Sequence, residues 1–198
     1  MDEEVQALSQ SLIPSQEIET NFSNLPISSG TLDDQKVVIV RCGIGKVNAA
    51  LATQYIIDRF RPKIIINSGV AGGLQPELVI GDVVIGTGAQ HHDFDVRNFG
   101  HPKGTIPRLE SSHFVTAPHL LEYGIKAATQ VLGVKRVHQG LIVSGDQFIS
   151  SREQKQEILR FFPTAFCAEM EGAAIAQVAS LNKTAHLIVR AISDQADS

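Results

Sequence analysis

Continuous apolar runs, rich in β-branched residues, alternate along this chain with stretches in which apolar residues recur at helical spacing. Such runs are typical of strands whose sheet is covered by helices on both faces, because a strand with one solvated face alternates apolar and polar residues instead. The runs predict strands over 37–41, 63–67, 82–87, 137–144 and 186–193, and the helical spacing predicts helices over 46–60, 118–132, 151–161 and 171–181. The chain is therefore predicted to fold as an α/β protein around a buried sheet.

Length and charge narrow the class further. With 198 residues the chain is long enough for one domain, spanning 1–198, to bury its core without disulfides or structural metals. Its 17 basic and 21 acidic side chains give a formal net charge of −4, and the lysines and arginines are scattered rather than clustered. A nucleic-acid-binding protein normally carries a basic stripe, so no nucleic-acid partner is expected.

Cysteine usage and the first residues indicate the compartment. Cys42 and Cys167 are far apart and belong to no paired motif, which suits a reducing environment. The first five residues include three acidic side chains where a signal peptide would be basic, and no stretch approaches the length of a membrane span. We therefore expect a cytoplasmic protein without a membrane partner.

Two regions depart from the regular alternation. The segment 91–116 has no clear period and contains Gly100, Pro102, Gly104 and Pro107. Long ordered loops of this kind are usually functional, and a disordered insertion is the alternative. At its ends, the chain begins with a helix-like segment and stops shortly after an apolar strand that needs a covering helix. We therefore expect a leading strand and a closing helix to be absent.

Two glycine-containing motifs follow predicted strands. Residues 43–48 read Gly-Ile-Gly-Lys-Val-Asn, which lacks the third glycine of a dinucleotide fingerprint at Asn48 and the glycine spacing of a P-loop. Residues 68–73 read Ser-Gly-Val-Ala-Gly-Gly at the carboxyl end of a strand, where open α/β sheets bind ligands. Each motif can either make a tight turn or bring backbone N–H groups close to a ligand.

Three carboxylates occupy positions suited to acid–base chemistry. Glu169 and Glu171 flank Met170 where a small-residue helix begins, and the helix dipole stabilises negative charge there. Asp194 follows Ser193 at the end of the last predicted strand, where a carboxyl can act as a general acid. Ordinary helix-start acidity and a Ser-Asp helix cap are the structural alternatives.

Four motifs together carry a resemblance to a known family. In their order and spacing, the segments 68–73, 144–149 (Ser-Gly-Asp-Gln-Phe-Ile), 169–171 and 190–194 resemble those of the 5′-methylthioadenosine/S-adenosylhomocysteine nucleosidases, across essentially the whole chain. The resemblance implies a nucleoside phosphorylase-like fold, a three-layer α/β/α sandwich with a central mixed, largely parallel twisted sheet. It also implies hydrolysis of the N-glycosidic bond of 5′-methylthioadenosine, S-adenosylhomocysteine and related adenosines. Adenine and a thioribose would be released, with no metal or organic cofactor.

The resemblance assigns roles to individual residues. Glu4 would activate the attacking water, Asp194 would protonate adenine at N7, and Glu171 would hold the ribose hydroxyls. The other pocket residues would be Met170 under the sugar, Phe148 stacked on adenine, Ile149 at its Watson–Crick edge through the backbone, Ile44, Ala71 and Gly72 as lining, and Arg190 and Ser193 as supports. These roles agree with the chemistry, because sugar hydrolases also cleave glycosidic bonds with two separated carboxylates.

The resemblance further implies a homodimer. Val96, Phe99 and Pro107 of one chain would cover the 5′-thio pocket of the other, and an apolar cover suits an alkylthio tail. His101, a fourth residue of this partner-chain pocket, stands where these enzymes usually carry an aromatic such as Tyr. The preference for the 5′ group is therefore left open.

Other interpretations remain. A nucleoside phosphorylase of the same fold would use phosphate as the nucleophile, but the sequence has no basic residue close to Asn67 and Ser68 to hold that anion. A futalosine-type hydrolase and a noncatalytic nucleoside-binding relative are further alternatives. A metal site could be formed by four neighbouring residues, although a polar strand-to-loop segment is the simpler interpretation of them: His91, His92, Asp93 and Asp95.

Overall fold

The computed structural model describes residues 8–20, 22 and 25–197. Its strands are β1 (Ile13–Ile18), β2 (Ile27–Leu32), β3 (Gln35–Val40), β4 (Ile64–Gly73), β5 (Val83–His91), β6 (Phe114–Val115), β7 (Val137–Ser144), β8 (Ala165–Glu169) and β9 (Ala185–Asp194). Its helices are α1 (Lys46–Phe60), α2 (Pro118–Leu132), α3 (Arg152–Phe161) and α4 (Gly172–Leu181), with short 3-10 turns at Arg97–Phe99 and Val134–Arg136.

The main sheet is mixed, and it closes on itself. Its order is β6-β5-β7-β8-β4-β9, and β5 also pairs with β9. Strands β5, β7 and β8 are mutually parallel, β4 and β9 are parallel to each other, and antiparallel pairs join the two groups at β4–β8 and β5–β9. The predicted α/β fold with a mixed sheet is thus confirmed, but the sheet, predicted as the twisted central layer of a three-layer sandwich, closes into a barrel-like arrangement. Closure pairs the strand edges that an open sheet would leave bare.

One core cluster combines side chains from the barrel strands, from α4 and from the segment after β4. Its buried members are Ala71, Leu78, Val84, Ala89, Phe114, Ile142, Cys167, Ala173, Ala176, Ile188 and Ile192. A second cluster, with Ala174, Ile175 and Ala179 on another side of α4, packs against α1. Helix α4 is therefore apolar around most of its circumference, as expected of a helix enclosed between two layers.

A three-stranded antiparallel sheet, β1-β2-β3, precedes the barrel and was predicted only in its last strand. Strand β1 has mostly exposed side chains, and β2 carries serine, glycine and threonine, so neither contains an apolar run. The sheet packs on α1 through Leu25, Ile27 and Ala52. Strands β6 and β8 were also missed: β6 has only two residues, and β8 (Ala-Phe-Cys-Ala-Glu) contains no β-branched residue.

Most of the other predicted elements match the structure closely. Helices α1 and α2 have the predicted bounds, and α3 and α4 each begin one residue later than predicted. Strand β4 is longer than predicted, because it continues through 68–73, where the sequence indicated a loop or turn after the strand. The prediction that a leading strand and a closing helix are absent concerns the ends of the chain and stays a prediction. Within the ranges described above, no helix combines the length and the apolar character needed to cross a bilayer.

Candidate active site

Glu169, the last residue of β8, is buried with its charge paired. The Arg190 guanidinium on β9 donates from Nη2 to its Oε2 at 2.6 Å, and the Ser144 hydroxyl at the end of β7 donates to Oε1. The backbone N–H groups of Glu171 and Gly172 also donate to this carboxylate, at 2.8 to 2.9 Å. Burial raises the pKa of a carboxyl, but the charge of Arg190 and these hydrogen bonds hold the pKa of Glu169 below its usual range. Glu169 is therefore ionised, and its hydrogen bonds connect the ends of β7 and β8 with β9 and the start of α4.

A basic side chain does lie beside Asn67, although the sequence places none nearby. Arg190 contacts the side-chain oxygen of Asn67, and its Nη1 lies 3.4 Å from the Asn67 carbonyl oxygen. Only 2% of Arg190 is exposed, and its charge is matched by Glu169. The guanidinium is therefore a structural partner of a buried carboxylate rather than a free anion-binding group.

Glu171, at the start of α4, bonds to a different part of the fold. Its Oε1 accepts a hydrogen bond of 2.8 Å from the backbone N–H of Gly45, which lies 126 positions earlier in the chain. Burial, followed by the negative charge of Glu169, raises the pKa of Glu171 above its usual range. The two glutamates of one tripeptide thus differ: Glu169 is locked in a charge pair, and Glu171 is half-buried with one backbone donor.

Asp194 lies where β9 ends and is held by local hydrogen bonds. The Ser193 hydroxyl donates to its Oδ2 and the Ala196 backbone N–H to its Oδ1, both at 2.8 Å. Lys155 on α3 holds two nearby stretches of backbone together. Its Nζ donates to the carbonyl oxygen of Gln195, which follows Asp194, at 2.6 Å and to that of Gly73 on β4 at 2.9 Å. Two hydrogen bonds therefore position the carboxylate, and Lys155 holds the backbone around it.

The glycine of β4 next to Asp194 allows this close approach. In the sheet register Gly72 pairs with Asp194 of β9 and with Ala168 of β8. A Cβ atom on Gly72 would lie 2.9 Å from Asp194 Oδ1 and 2.9 Å from the Ala196 side chain. Gly72 therefore allows close packing within a strand. From the sequence, this glycine could equally have formed a turn or approached a ligand.

The turn that meets Glu171 is built from two glycines and lacks a side-chain cap of its own. Gly43 and Gly45 have φ angles of 83° and 89°, a region that strongly favours glycine. Gly45 is the N-cap of α1 and supplies no capping side chain. Carboxylates from remote segments take that place, because Glu171 accepts from the Gly45 N–H and Asp146 Oδ1 accepts from the Lys46 N–H at 2.8 Å. Negative charge at this position is also favoured by the helix dipole.

The remaining predicted pocket residues differ widely in exposure. Ala71 and Ile149 are buried, Gly72 and Met170 are half-buried, and Ser193, Ile44 and Phe148 are exposed, the last two with 71% of their surface accessible. The Ser193 hydroxyl also lies 3.4 Å from the carbonyl oxygen of Ala71. Glu4, predicted to activate water, lies outside the described residues.

The segment 91–116 is ordered and folds back on the domain. The backbone N–H of Gly104 donates to the carbonyl oxygen of Phe94 at 2.7 Å, and the guanidinium of Arg97 lies 4.6 Å from the centre of the Phe161 ring on α3. This finding contradicts the alternative of a disordered insertion. Four residues were predicted to cover a partner's pocket: Val96 and Pro107 are half-buried, His101 is exposed, and Phe99 is 82% exposed.

Three of the four residues considered as metal ligands have other polar partners. His91 Nε2 lies 2.9 Å from Gln177 Oε1, Asp93 pairs with Lys46, and Asp95 pairs with Arg97. Buried His92 packs against Gly145, and burial lowers the pKa of His92 to about 4. Among residues 8–20, 22 and 25–197, no group of three or more His, Cys, Asp or Glu side chains is arranged to hold a metal ion.

Sequence reasoning left several residues of this arrangement without a role. Ser144, Lys46 and Asp146 were named only as parts of motifs, Asn67 only as a place without a basic neighbour, and Asp93 only as a possible metal ligand. Their positions at strand ends or helix starts were a usable signal, but their partners lie far away in the chain. The pairing of Asp93 with Lys46, for example, spans 47 positions.

Comparison with known proteins identifies the class and then the family. The profile of the Phosphorylase superfamily matches residues 1–198. The 5′-methylthioadenosine/S-adenosylhomocysteine nucleosidases of Staphylococcus saprophyticus and Staphylococcus aureus (strain bovine RF122 / ET3-1) are 41% and 42% identical to this chain over 197 residues, which cover 100% of the chain and 84% of each relative. The chain therefore belongs to the family of 5′-methylthioadenosine/S-adenosylhomocysteine nucleosidases.

Solved structures show the same similarity. The nucleosidase from Neisseria meningitidis, in complex with methylthio-immucillin-A, has a TM-score of 0.94 and 42% identity, covering 100% of this chain and 84% of that chain. The nucleosidase from Colwellia psychrerythraea, in complex with adenine, has a TM-score of 0.92 and 36% identity, covering 98% of this chain and 79% of that chain.

Proposed function

We propose that this protein hydrolyses the N-glycosidic bond of 5′-methylthioadenosine, S-adenosylhomocysteine and related 5′-substituted adenosines, releasing adenine and a thioribose. The observation that carries the proposal is that β9, which ends at Asp194, and β8, which ends two residues before Glu171, both pair with the same residue of β4. Gly72 pairs with Ala168, three positions before Glu171, and with Asp194 itself. The family membership and the adenine and nucleoside-analogue complexes of its relatives support the same substrate class.

The chemistry divides between the carboxylates. Cleavage requires a proton on the leaving base, a water on the opposite face of the sugar and stabilisation of an oxocarbenium-like centre. In our proposal Asp194 protonates adenine at N7, Glu171 holds the ribose hydroxyls, and Glu4 activates the water. Each positioned proton transfer contributes about 100- to 10,000-fold, and electrostatic stabilisation of the cationic sugar supplies much of the remainder.

The other predicted pocket residues serve binding in this proposal. Phe148 and the Ile149 backbone contact the base, Met170 lies against the sugar, and the remaining members line or support the pocket: Ile44, Ala71, Gly72, Arg190 and Ser193. The near-complete burial of Arg190 and its bond to Glu169 favour an indirect role for it, through the backbone of β8 and α4.

Hydrolysis and phosphorolysis are distinguished by one assay. The protein is incubated with 5′-methylthioadenosine, with and without phosphate, and the products are separated by chromatography. We expect adenine and free methylthioribose to form at the same rate in both reactions, because Arg190, the basic group beside Asn67, is neutralised by Glu169. Dependence on phosphate, with a sugar 1-phosphate as product, would overturn the proposal.

The raised pKa of Glu171 predicts a pH dependence of substrate binding. An ionised carboxylate accepts strong hydrogen bonds from ribose hydroxyls at both oxygens, and its protonation turns one oxygen into a donor and weakens the acceptance. Burial places the pKa of Glu171 above the usual 4.5, so we expect KM for 5′-methylthioadenosine to begin rising on acidification while the pH is still above 4.5. Glu171→Gln should raise KM at every pH and remove this dependence, with circular dichroism confirming that both proteins stay folded. An unchanged acid limb in the Gln variant would contradict the role.

We also propose that the protein is a cytoplasmic homodimer. The 82% exposure of the Phe99 side chain supports an apolar partner at the segment 91–116. In that dimer Val96, Phe99, His101 and Pro107 of one chain would cover the 5′ pocket of the other.

A further inference from the structure

An ion pair links the start of α1 to the loop after β5. Lys46 Nζ donates to both carboxylate oxygens of Asp93 at 2.7 Å, and the two side chains are only 23% and 20% exposed. Burial raises the pKa of a carboxyl, but Lys46 and the Asp146 backbone N–H hold the pKa of Asp93 below its usual range. The pair is therefore charged and largely shielded from solvent.

The same residues join a third segment, the loop after β7. Asp93 Oδ2 accepts from the Asp146 backbone N–H at 2.9 Å, and Asp146 Oδ1 accepts from the Lys46 backbone N–H at 2.8 Å. Lys46, Asp93 and Asp146 thus form a closed set of contacts among three elements. A displacement of the α1 start would break more than one of these contacts at once.

These contacts lie beside Gly45, the residue that is hydrogen-bonded to Glu171, the proposed ribose-binding carboxylate. Gly45, which donates to Glu171 Oε1, immediately precedes Lys46. Its turn contains two glycines at positive φ and has no capping side chain of its own, and within it Asn48 Nδ2 donates to the Ile44 carbonyl oxygen at 2.7 Å. The contacts of Lys46 connect this turn to two other segments and so help to hold the Gly45 N–H in place.

We propose that Lys46 and Asp93 are positioning residues that hold the turn 43–45 against Glu171 and thereby set the ribose-binding half of the pocket. The inference rests on the proposed function, because it requires Glu171 to bind the sugar. The inference predicts an effect that a purely structural role does not. Loss of the ion pair lowers the affinity for ligands that contain the sugar portion and leaves the affinity for the free base unchanged.

The test compares the binding of adenine with that of methylthio-immucillin-A, a nucleoside analogue, by isothermal titration calorimetry. We expect Lys46→Met and Asp93→Asn each to weaken methylthio-immucillin-A about tenfold, equivalent to about 1.4 kcal/mol. Adenine affinity should change by less than about twofold, which is within about 0.4 kcal/mol. The affinity of the double variant for the analogue should be no lower than that of the single variant with the lower affinity, because both substitutions break the same ion pair. Lys46→Arg should recover most of the affinity.

Asp58→Asn is the matched control. Asp58 is an exposed carboxylate on the same helix, about 18 Å along the axis from Lys46 at 1.5 Å per residue. This variant should bind both ligands as the wild type does. Thermal melting confirms that each protein is folded, and Lys46→Met carries the test if Asp93→Asn does not fold.

The possible outcomes separate the two proposals. Equal weakening of adenine and the analogue, no weakening of either, or additive losses in the double variant would overturn the positioning role while leaving the proposed function intact. Wild-type protein that binds neither ligand would overturn the proposed function, and the inference with it.

Discussion

Asp194→Asn is expected to lower kcat for adenine release about 100- to 10,000-fold, because an amide cannot deliver a proton to the leaving base. The substitution nearly preserves the shape of a side chain held by the Ser193 hydroxyl and the Ala196 N–H, each at 2.8 Å. KM for 5′-methylthioadenosine should change little, since the lost interaction belongs to the transition state. The measurement is the initial rate of adenine release at saturating substrate.

Asp197→Asn is the control for this prediction. Asp197 is an exposed carboxylate three positions further along the chain, so the same chemical change there should leave kcat unchanged. Calorimetry of adenine binding shows whether the Asp194 variant retains its pocket. Near-normal turnover in Asp194→Asn would remove Asp194 from the mechanism.

Arg190→Met is expected to lower the free energy of unfolding by about 3 to 5 kcal/mol, because it leaves the buried carboxylate of Glu169 without its cation. The two side chains are 2% and 3% exposed and lie 2.6 Å apart. Backbone N–H groups and Ser144 still donate to Glu169 in the variant, so we expect the lower end of this range. Urea denaturation followed by circular dichroism gives the measurement.

A second arginine and a double variant sharpen this test. Arg160 is 74% exposed and lies 3.9 Å from Glu157, so Arg160→Met should leave the urea midpoint unchanged. Glu169→Gln combined with Arg190→Met should cost less than the sum of the single variants, because no unpaired charge remains buried. Additive losses, or a loss in Arg190→Met no larger than that in Arg160→Met, would show that the pair does not stabilise the fold as we infer.

The elements that were predicted correctly share one property: their pattern is complete within a short stretch of chain. Strand β7 and helices α1 and α2 have the predicted bounds because apolar residues recur there at the spacing of the element. Strands β1 and β2 carry no such pattern, since much of their surface faces solvent. The segment 68–73 looked like a glycine loop, but β4 continues through it because neighbouring strands pair with it.

The candidate site divides in the same way. The carboxylates at 169, 171 and 194 and the glycine turn at 43–45 were recognised as motifs from local residue types. The different roles of these carboxylates were not predicted, because the roles depend on partners from other parts of the chain. Arg190 neutralises Glu169, while the Gly45 N–H donates to Glu171, and the spacing of residues in the sequence predicts neither contact.

The sequence by itself determined the α/β class, most of the barrel strands, helices α1 to α4 and the motifs that identify the family, because periodicity and residue type act over a few neighbouring positions. Only the tertiary structure decided that the sheet closes through β5 and β9, that Glu169 is buried and paired with Arg190, and that Lys46 pairs with Asp93. These features join residues separated by tens of positions. Their energies come from burial and charge pairing, which exist only once the chain has folded.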